Sequence, residues 1–133
     1  MAQERAPGKK EFTPRIFIVE DDSTIREYIE GLLKDLGYQV ASSPSGSEAL
    51  KRIMEMIPDL ILMDILLEDM DGLSVCQKLH SDSRTKKIPI IMISCMTDHN
   101  TIQSANAYGA VDFLEKPFKQ SVLKDKIQKA LAL

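Results

Sequence analysis

Four short apolar segments of this chain, each followed closely by a polar or charged residue, constrain the fold most strongly. The segments cover residues 16–19, 60–63, 90–93 and 111–114. Stretches with the apolar period of amphipathic helices separate them, and this alternation is typical of a parallel sheet buried between helices. The sequence therefore predicts an α/β protein.

The predicted elements alternate strand and helix five times. Strands are expected at about 15–20, 38–41, 59–64, 89–94 and 111–115. Helices are expected at about 23–37, 45–57, 71–80, 97–109 and 120–131. Right-handed crossovers would put helices on both faces of the sheet, which makes a doubly wound, three-layer sandwich. Periodicity leaves the strand order open, but the flavodoxin-like order 2-1-3-4-5 would place the first and third strands side by side.

Local signals predict where the helices begin and which residues they bury. Ser23 and Asp71 have the side chains expected of N-caps for the first and third helices. Tyr28, Ile57 and Val122 fall on the apolar stripes of the first, second and fifth helices. Their spacing predicts that all three side chains point inward.

Length and charge exclude several classes of protein. A chain of 133 residues is expected to form one domain, here 15–133, preceded by a polar, flexible N-terminal tail at 1–14. The net charge of −3 provides no broad basic field, which argues against direct nucleic-acid binding. No apolar stretch suits a membrane span or a signal peptide, so we expect a cytoplasmic protein. Cys76 and Cys95 lack the spacing of a metal or redox site, which predicts reduced packing residues.

Polar side chains at the ends of the apolar segments should converge. Glu20 and Asp21 follow the first segment, Asp64 the second, Ser94 the third and Lys116 the fourth. In parallel sheets, ligands bind at the carboxyl ends of the strands. Clustered carboxylates repel one another unless a cation lies between them, and an all-oxygen ligand set favours Mg²⁺ over zinc. The sequence therefore predicts a magnesium site.

Asp64 is the candidate nucleophile of this site. A carboxylate can attack phosphorus to form an acyl phosphate, and Mg²⁺ with Lys116 would neutralise charge on the phosphoryl oxygens. Ser94 offers a hydroxyl donor to another oxygen. Pro117 predicts a tight turn that aims the ammonium of Lys116 at the site, and a cis peptide bond is one way to form it.

The same residues lie in four sequence blocks that resemble the response-regulator receiver domain of two-component signalling, including its chemotaxis regulators. The blocks, in order, are FIVEDD, PDLILMDILLEDMDG, IPIIMIS and GAVDFLEKPF. The resemblance covers about residues 15–131. It implies a five-stranded domain of order 2-1-3-4-5 that takes a phosphoryl group from the phosphohistidine of a sensor kinase.

The resemblance also implies a role for individual residues. Glu20 and Asp21 correspond to the acidic metal pair, Asp64 to the phospho-acceptor, and the backbone carbonyl of Leu66 to a further metal ligand. Lys116 corresponds to the phosphate-contacting lysine.

The switch residues implied by the resemblance are Ser94, whose hydroxyl moves toward the phosphoryl group, and Phe113, whose ring turns inward. Leu66 and Met96 hold the positions that govern how water reaches the acyl phosphate. Because both are apolar, we expect a long-lived phosphorylated form, although both could simply cover the sheet edge.

The expected function is a phospho-acceptor switch that assists its own phosphorylation and dephosphorylation and is otherwise not an enzyme. Expected partners are a sensor histidine kinase or phosphotransfer protein and a downstream protein or output domain. The face made by the fourth helix, fifth strand and fifth helix should change on phosphorylation. The surface of the fifth helix carries four lysines, Lys119, Lys124, Lys126 and Lys129. These lysines either form a solvated surface or contact an acidic partner or a second copy of the chain.

Other interpretations of the chain remain open at this level. Asp21 and Asp22 could be ordinary loop acids that cap the first helix. A receiver-like docking module would never carry phosphate. A metal-dependent phosphatase would need a second acid at Leu66, and a nucleotide or flavin carrier would need a glycine-rich loop after the first strand.

Overall fold

A five-stranded parallel sheet forms the centre of the protein. The computed structural model describes residues 3–4, 7–8, 13–95 and 99–132. The strands are β1 Arg15–Val19, β2 Gln39–Ser43, β3 Leu60–Asp64, β4 Ile90–Ser94 and β5 Asp112–Glu115. The helices are α1 Ser23–Asp35, α2 Gly46–Met56, α3 Gly72–Ser81, α4 His99–Ala107 and α5 Gln120–Leu131. A separate antiparallel pair joins Gln3–Glu4 to Pro7–Gly8.

The strand order is β2-β1-β3-β4-β5, and all four neighbouring pairs are parallel. The predicted three-layer α/β class and the order 2-1-3-4-5 are therefore confirmed. Val19 is in register with both Ser43 and Met63, while Ser94 is in register with Glu115. This register brings the carboxyl ends of the strands to one edge of the sheet.

Alternation of side chains along the strands divides the core into two layers. On β3, Ile61 and Met63 pack with buried residues of α2, α3 and α4, whereas Leu60 and Leu62 pack with those of α1 and α5. Every residue of β3 and β4 is buried, as expected for central strands covered on both faces. Among the described residues, no helix combines the length and apolarity needed to cross a bilayer.

The N-cap of α1 is Asp22, so the prediction of Ser23 was wrong by one position. The Asp22 carboxylate accepts the backbone N–H of Ile25 at 3.1 Å. Asp71 caps α3, as predicted, and accepts the N–H of Leu73 at 2.9 Å. The predicted start of α4 at residues 97 or 98 lies outside the described residues.

Three side chains predicted to point inward are instead exposed. Tyr28 is 56% exposed because Ile29 and Leu33 already fill the layer between α1 and the sheet. Ile57 follows α2 in a left-handed conformation with φ of 49°, which turns its side chain out of the helical stripe. Val122 is 41% exposed, and α5 reaches the core through neighbouring residues.

The second strand is two residues longer at its end than predicted. Ser42 and Ser43 are polar, so the apolar pattern ends before them. Their hydroxyls donate to carboxylates of the flanking helices, at 2.5 Å from Ser42 to Glu30 and 2.5 Å from Ser43 to Glu48. The apolar pattern of the sequence predicts a loop at these two serines, because it does not reveal the tertiary contacts that satisfy their hydroxyls.

Cys76 is buried in the core, as predicted, but Cys95 is exposed, so its predicted packing role was wrong. Cys95 directly follows β4, at the edge of the sheet where core packing ends.

The predicted domain boundaries, with a tail at 1–14 and a domain at 15–133, stay a prediction. Pro14 is buried, and its carbonyl accepts the N–H of Gln39 at 3.0 Å.

Gly72 begins α3 in a position with no room for a side chain. A Cβ there would lie 2.0 Å from the backbone oxygen of Asp64, whereas a Cβ on Gly31 of α1 would meet nothing within 4 Å. Gly72→Ala should lower the free energy of unfolding by about 2 kcal/mol, because the backbone must shift. Gly31→Ala should raise it by about 1 kcal/mol, because alanine favours the helix. Urea unfolding followed by circular dichroism measures both, and equal stability of the two variants would contradict this packing.

Candidate functional site

Three carboxylates meet at the carboxyl edge of the sheet. Glu20 follows β1 directly and Asp64 is the last residue of β3, which is why adjacent parallel strands bring them together. Glu20 and Asp64 are only 1% and 5% exposed, and Asp21 is half-buried. One carboxylate oxygen from each lies within 4.8 Å of the other two. The geometry places three acidic side chains next to one another at this edge of the sheet.

Lys116 reaches across the sheet edge to two of these carboxylates. Its Nζ donates to Glu20 Oε1 at 2.7 Å and to Asp64 Oδ2 at 3.1 Å. The residue follows β5, and its backbone N–H donates to the carbonyl of Ser94 at 3.0 Å. The Lys116–Pro117 peptide bond is cis, which is the way of forming the tight turn that was named from the sequence. The ammonium offsets the repulsion between the carboxylates.

Burial dominates the electrostatics of Glu20. It raises the pKa of this carboxyl to about 7, against the opposing hydrogen bond from Lys116. For Lys116, burial works to lower the pKa, but the hydrogen bonds and charges of Glu20 and Asp64 outweigh it and the pKa is raised. Lys116 therefore stays charged at neutral pH.

Backbone contacts fix the orientation of the two buried carboxylates. Glu20 Oε2 accepts the N–H of Asp22 at 3.2 Å, and the guanidinium of Arg26 donates to the Glu20 carbonyl at 2.8 Å. Asp64 Oδ1 accepts the N–H of Leu66 at 3.2 Å. Sequence reasoning missed Arg26, because a basic residue on an amphipathic helix normally looks like part of its solvated face.

The remaining predicted site residues lie around this cluster at different depths. Ser94 is buried at the end of β4, and Phe113 is half-buried on β5 against the α2–α4 core layer. Leu66 is 56% exposed in the loop after β3. Met96 lies outside the described residues.

An apolar groove of about 440 Å³ lies beside Lys116. Its lining contains Tyr28 and Cys95, two residues whose exposure the sequence did not predict. The other lining residues are Ile25, Lys116, Pro117 and Phe118. Apolar residues on α1 and on the loop after β5 look like core residues in sequence, and only their meeting beside the cluster reveals a surface groove.

The ligand chemistry of the cluster suits a hard divalent cation. Three carboxylates supply oxygen donors within a short span, and such ligands are those of Mg²⁺. Buried carboxylates near one another are unfavourable without a counter-charge. A divalent cation supplies two positive charges, whereas the ammonium of Lys116 supplies one. The residues present therefore fit a magnesium ion.

Comparison with known proteins adds independent findings. Residues 16–128 match the family model described as the response regulator receiver domain. The transcriptional regulatory protein AfsQ1 of Streptomyces coelicolor is 35% identical over 118 residues, which are 89% of this chain and 51% of AfsQ1. The chain thus spans about half the length of this curated relative.

Solved structures agree with this match. A putative response regulator from Chloroflexus aurantiacus superposes with a TM-score of 0.87 and 34% identity, covering 92% of this chain and all of that one. The receiver domain of the Pseudomonas aeruginosa sensor histidine kinase PA1611 superposes with a TM-score of 0.85 and 28% identity, over 92% of this chain and 100% of its own. That structure holds a magnesium ion coordinated in its active-site cleft.

Removal of the ammonium from the cluster should destabilise the protein in the absence of divalent cations. Lys116→Met leaves two buried carboxylates without their shared partner, which should lower the free energy of unfolding by about 3 kcal/mol. The deficit should grow as pH rises above 7, because the carboxyl of wild-type Glu20, with a pKa of about 7, then ionises beside the ammonium of Lys116, whereas in the variant it has no such partner. Urea unfolding in EDTA at several pH values measures it.

Lys126→Met is the matched control for this variant. Lys126 pairs with Asp112 at 2.9 Å, but both side chains are more exposed, at 26% and 33%, so water screens the pair. Added Mg²⁺ should restore stability to the Lys116 variant and leave the Lys126 variant unchanged. Equal deficits in the two variants would show that the site cluster is not held by Lys116.

Proposed function

Because this chain belongs to the response regulator receiver domain family, we propose that it is a phosphorylation switch whose acceptor is Asp64. The donor is the phosphohistidine of a sensor histidine kinase or of a phosphotransfer protein. One observation carries the proposal: the buried carboxylate of Asp64 contacts Lys116 and lies within 4.8 Å of Glu20 and Asp21. This is the arrangement that an anionic phosphoryl group and a cation both require.

The transfer is a nucleophilic displacement at phosphorus. A carboxylate oxygen of Asp64 forms the new O–P bond as the N–P bond of the donor breaks, and the imidazole nitrogen retains the electron pair and takes up a proton. The ammonium of Lys116, 3.1 Å from Asp64 Oδ2, is placed to stabilise charge on the phosphoryl oxygens. The hydroxyl of Ser94, at the end of the adjacent strand, donates to another oxygen.

Glu20, Asp21 and Asp64, with the backbone carbonyl of Leu66, would hold the magnesium ion. When bound, the ion neutralises negative charge shared between the carboxylates and the incoming phosphoryl group. The magnesium coordinated in the active-site cleft of the PA1611 receiver domain supports this assignment. The chain thereby assists its own phosphorylation and dephosphorylation without acting on a separate substrate.

The apolar groove beside Lys116 gives the donor protein a docking surface. Its two sides belong to α1 and to the loop after β5, so a partner seated there lies next to the acceptor. Exposed apolar side chains at this position, with Tyr28 foremost, supply area for burial on binding.

The signal leaves through the face formed by α4, β5 and α5. Ser94 moves toward the phosphoryl oxygens, and the half-buried ring of Phe113 on β5 turns inward. Helix α4 is the natural moving part, since Ala105 is its only fully buried described residue. A downstream protein, an output domain or a second copy of the chain then reads the altered face, in the cytoplasm.

Asp64→Asn should abolish incorporation of phosphate from acetyl phosphate in the presence of Mg²⁺, because an amide is not a nucleophile at phosphorus. Asp59→Asn is the matched control: Asp59 directly precedes the same strand at its opposite end, where it accepts the N–H of Arg15 at 2.8 Å. Intact-mass spectrometry should show a phosphorylated form of wild type and of the control only. Normal labelling of the Asp64 variant would exclude this acceptor, and an unlabelled wild type that binds no Mg²⁺ would favour a docking module.

Leu66→Asn should shorten the lifetime of the phosphorylated form severalfold, since a polar side chain beside the acyl phosphate can orient an attacking water. Leu66 is exposed, so the change should leave stability unaltered. Glu68→Gln in the same loop is the control. Phosphate release measured after removal of acetyl phosphate tests this, and an unchanged lifetime would mean that Leu66 only covers the sheet edge.

A further inference from the structure

The loop between β3 and α3 is anchored at its tip to a different helix. Asp69 lies in this loop, and its two carboxylate oxygens accept the backbone N–H groups of Gly46 and Ser47 at 2.8 and 2.9 Å. These donors belong to the first turn of α2, which is 22 or more residues earlier in the chain. Asp69 therefore acts as a tertiary cap on α2.

Asp69 completes the hydrogen bonding of the α2 N-terminus, where helices leave N–H groups without internal partners. The side-chain oxygen of the helix's own N-cap, Ser45, accepts the N–H of Glu48 at 3.2 Å. The N–H groups of Gly46 and Ser47 depend on Asp69. Both bonds lower the pKa of this carboxyl, which accordingly stays ionised and favourably placed at the positive end of the helix.

A second contact joins the same loop to the same helix. Gly46 is buried, and a Cβ on it would lie 2.5 Å from Cγ of Met70 and 3.1 Å from Cγ2 of Val75. Since Ala49 and Ile53 anchor α2 in the core, the helix is a firm support for the loop. The loop tip is therefore held by polar contacts from Asp69 and by packing of Met70.

The other end of the loop reaches the candidate site. Leu66 and Asp71 form an isolated antiparallel bridge across the loop, and the N–H of Gly72 donates to the Ile65 carbonyl at 2.7 Å. Leu66 also donates its N–H to Asp64 Oδ1. Because the two ends of the loop are hydrogen-bonded together, anchoring its tip to α2 also restricts the position of Leu66 at its base.

From this geometry we infer that Asp69 is a positioning residue, which fixes the loop so that the backbone of Leu66 and the carboxylate of Asp64 are preorganised for a divalent cation. The inference rests on the proposed function for the identity of the site. Asp69 touches neither the cation nor the phosphoryl group. Its effect passes through the loop, in the way that outer residues orient metal ligands.

Asp69→Ala should weaken Mg²⁺ binding about tenfold, at the lower end of the effect of losing groups that orient ligands. Isothermal titration calorimetry with MgCl₂ on the 133-residue chain measures the affinity directly. Asp69→Asn, which keeps one acceptor oxygen, should show a smaller loss. Gly46→Ala, which pushes Met70 away from α2, should reproduce the effect without altering any charge.

Asp82→Ala is the matched control. Asp82 follows the far end of α3 and also accepts a backbone N–H in its own loop, from Arg84 at 2.8 Å, together with two hydrogen bonds from the Arg84 guanidinium. The variant therefore loses one charge and its loop contacts with Arg84, away from the site. Its Mg²⁺ affinity should equal that of wild type. Hydrogen exchange by mass spectrometry should show faster exchange of residues 65–72 only in the Asp69 and Gly46 variants.

Labelling by acetyl phosphate separates positioning from general loss of structure. Saturating Mg²⁺ should restore most of the labelling rate of Asp69→Ala, because the maximal rate depends on Asp64 and Lys116, which are intact. Unchanged Mg²⁺ affinity in Asp69→Ala, or a labelling defect that Mg²⁺ does not relieve, would overturn the inference. A wild-type chain that binds Mg²⁺ but takes up no phosphoryl group contradicts the proposed function alone, and one that binds no Mg²⁺ contradicts both.

Discussion

The contact of one ammonium with two buried carboxylates is the interaction on which the site depends. Lys116 joins residues 96 and 52 positions away in the chain, and so ties the end of β5 to the ends of β1 and β3. Like charges at 1% and 5% exposure are unfavourable unless a cation is close. In the absence of metal, the ammonium offsets the unfavourable burial of the two carboxylates. It also places positive charge next to Asp64, where a phosphoryl group would bind. The stability of the fold and the proposed phosphoryl transfer therefore both require a positive charge at Lys116.

The acidic residues along the carboxyl edge divide into two groups with different tasks. One group accepts backbone N–H groups at the starts of helices, where negative charge is favourable, and consists of Asp22, Asp69 and Asp71. The other group forms the acidic cluster and consists of Glu20, Asp21 and Asp64. The caps hold the loops that continue from the strand ends where these three carboxylates lie. Sequence alone could not separate the groups, since Asp21 and Asp22 are neighbours with the same side chain, and only the backbone path decides which carboxylate meets a helix.

The surface around the site was the least predictable part of the molecule. Tyr28 fits the apolar stripe of α1, and Cys95 follows a fully buried strand, so each was predicted to pack inside. In the folded chain both line the groove beside Lys116, because α1 and the loop after β5 leave a gap there. The anchoring of the β3–α3 loop to α2 was equally invisible, since it joins two segments that share no local pattern. Apolar periodicity predicts which face of a helix or strand is buried. It does not predict where the helices stop covering the sheet, which is where Tyr28 and Cys95 become exposed.

The sequence by itself determined the class of fold, because four apolar segments alternating with amphipathic stretches can be buried together only as a parallel sheet covered by helices. It also determined which side chains reach the carboxyl edge, since parallel strands all end on the same side. Tertiary structure alone decided the distances: Lys116 within hydrogen-bond reach of Glu20 and Asp64, and Asp69 on the N-terminus of α2. These contacts depend on strand order, loop path and helix position, which arise from packing of the whole chain and leave no periodic signal in any one segment.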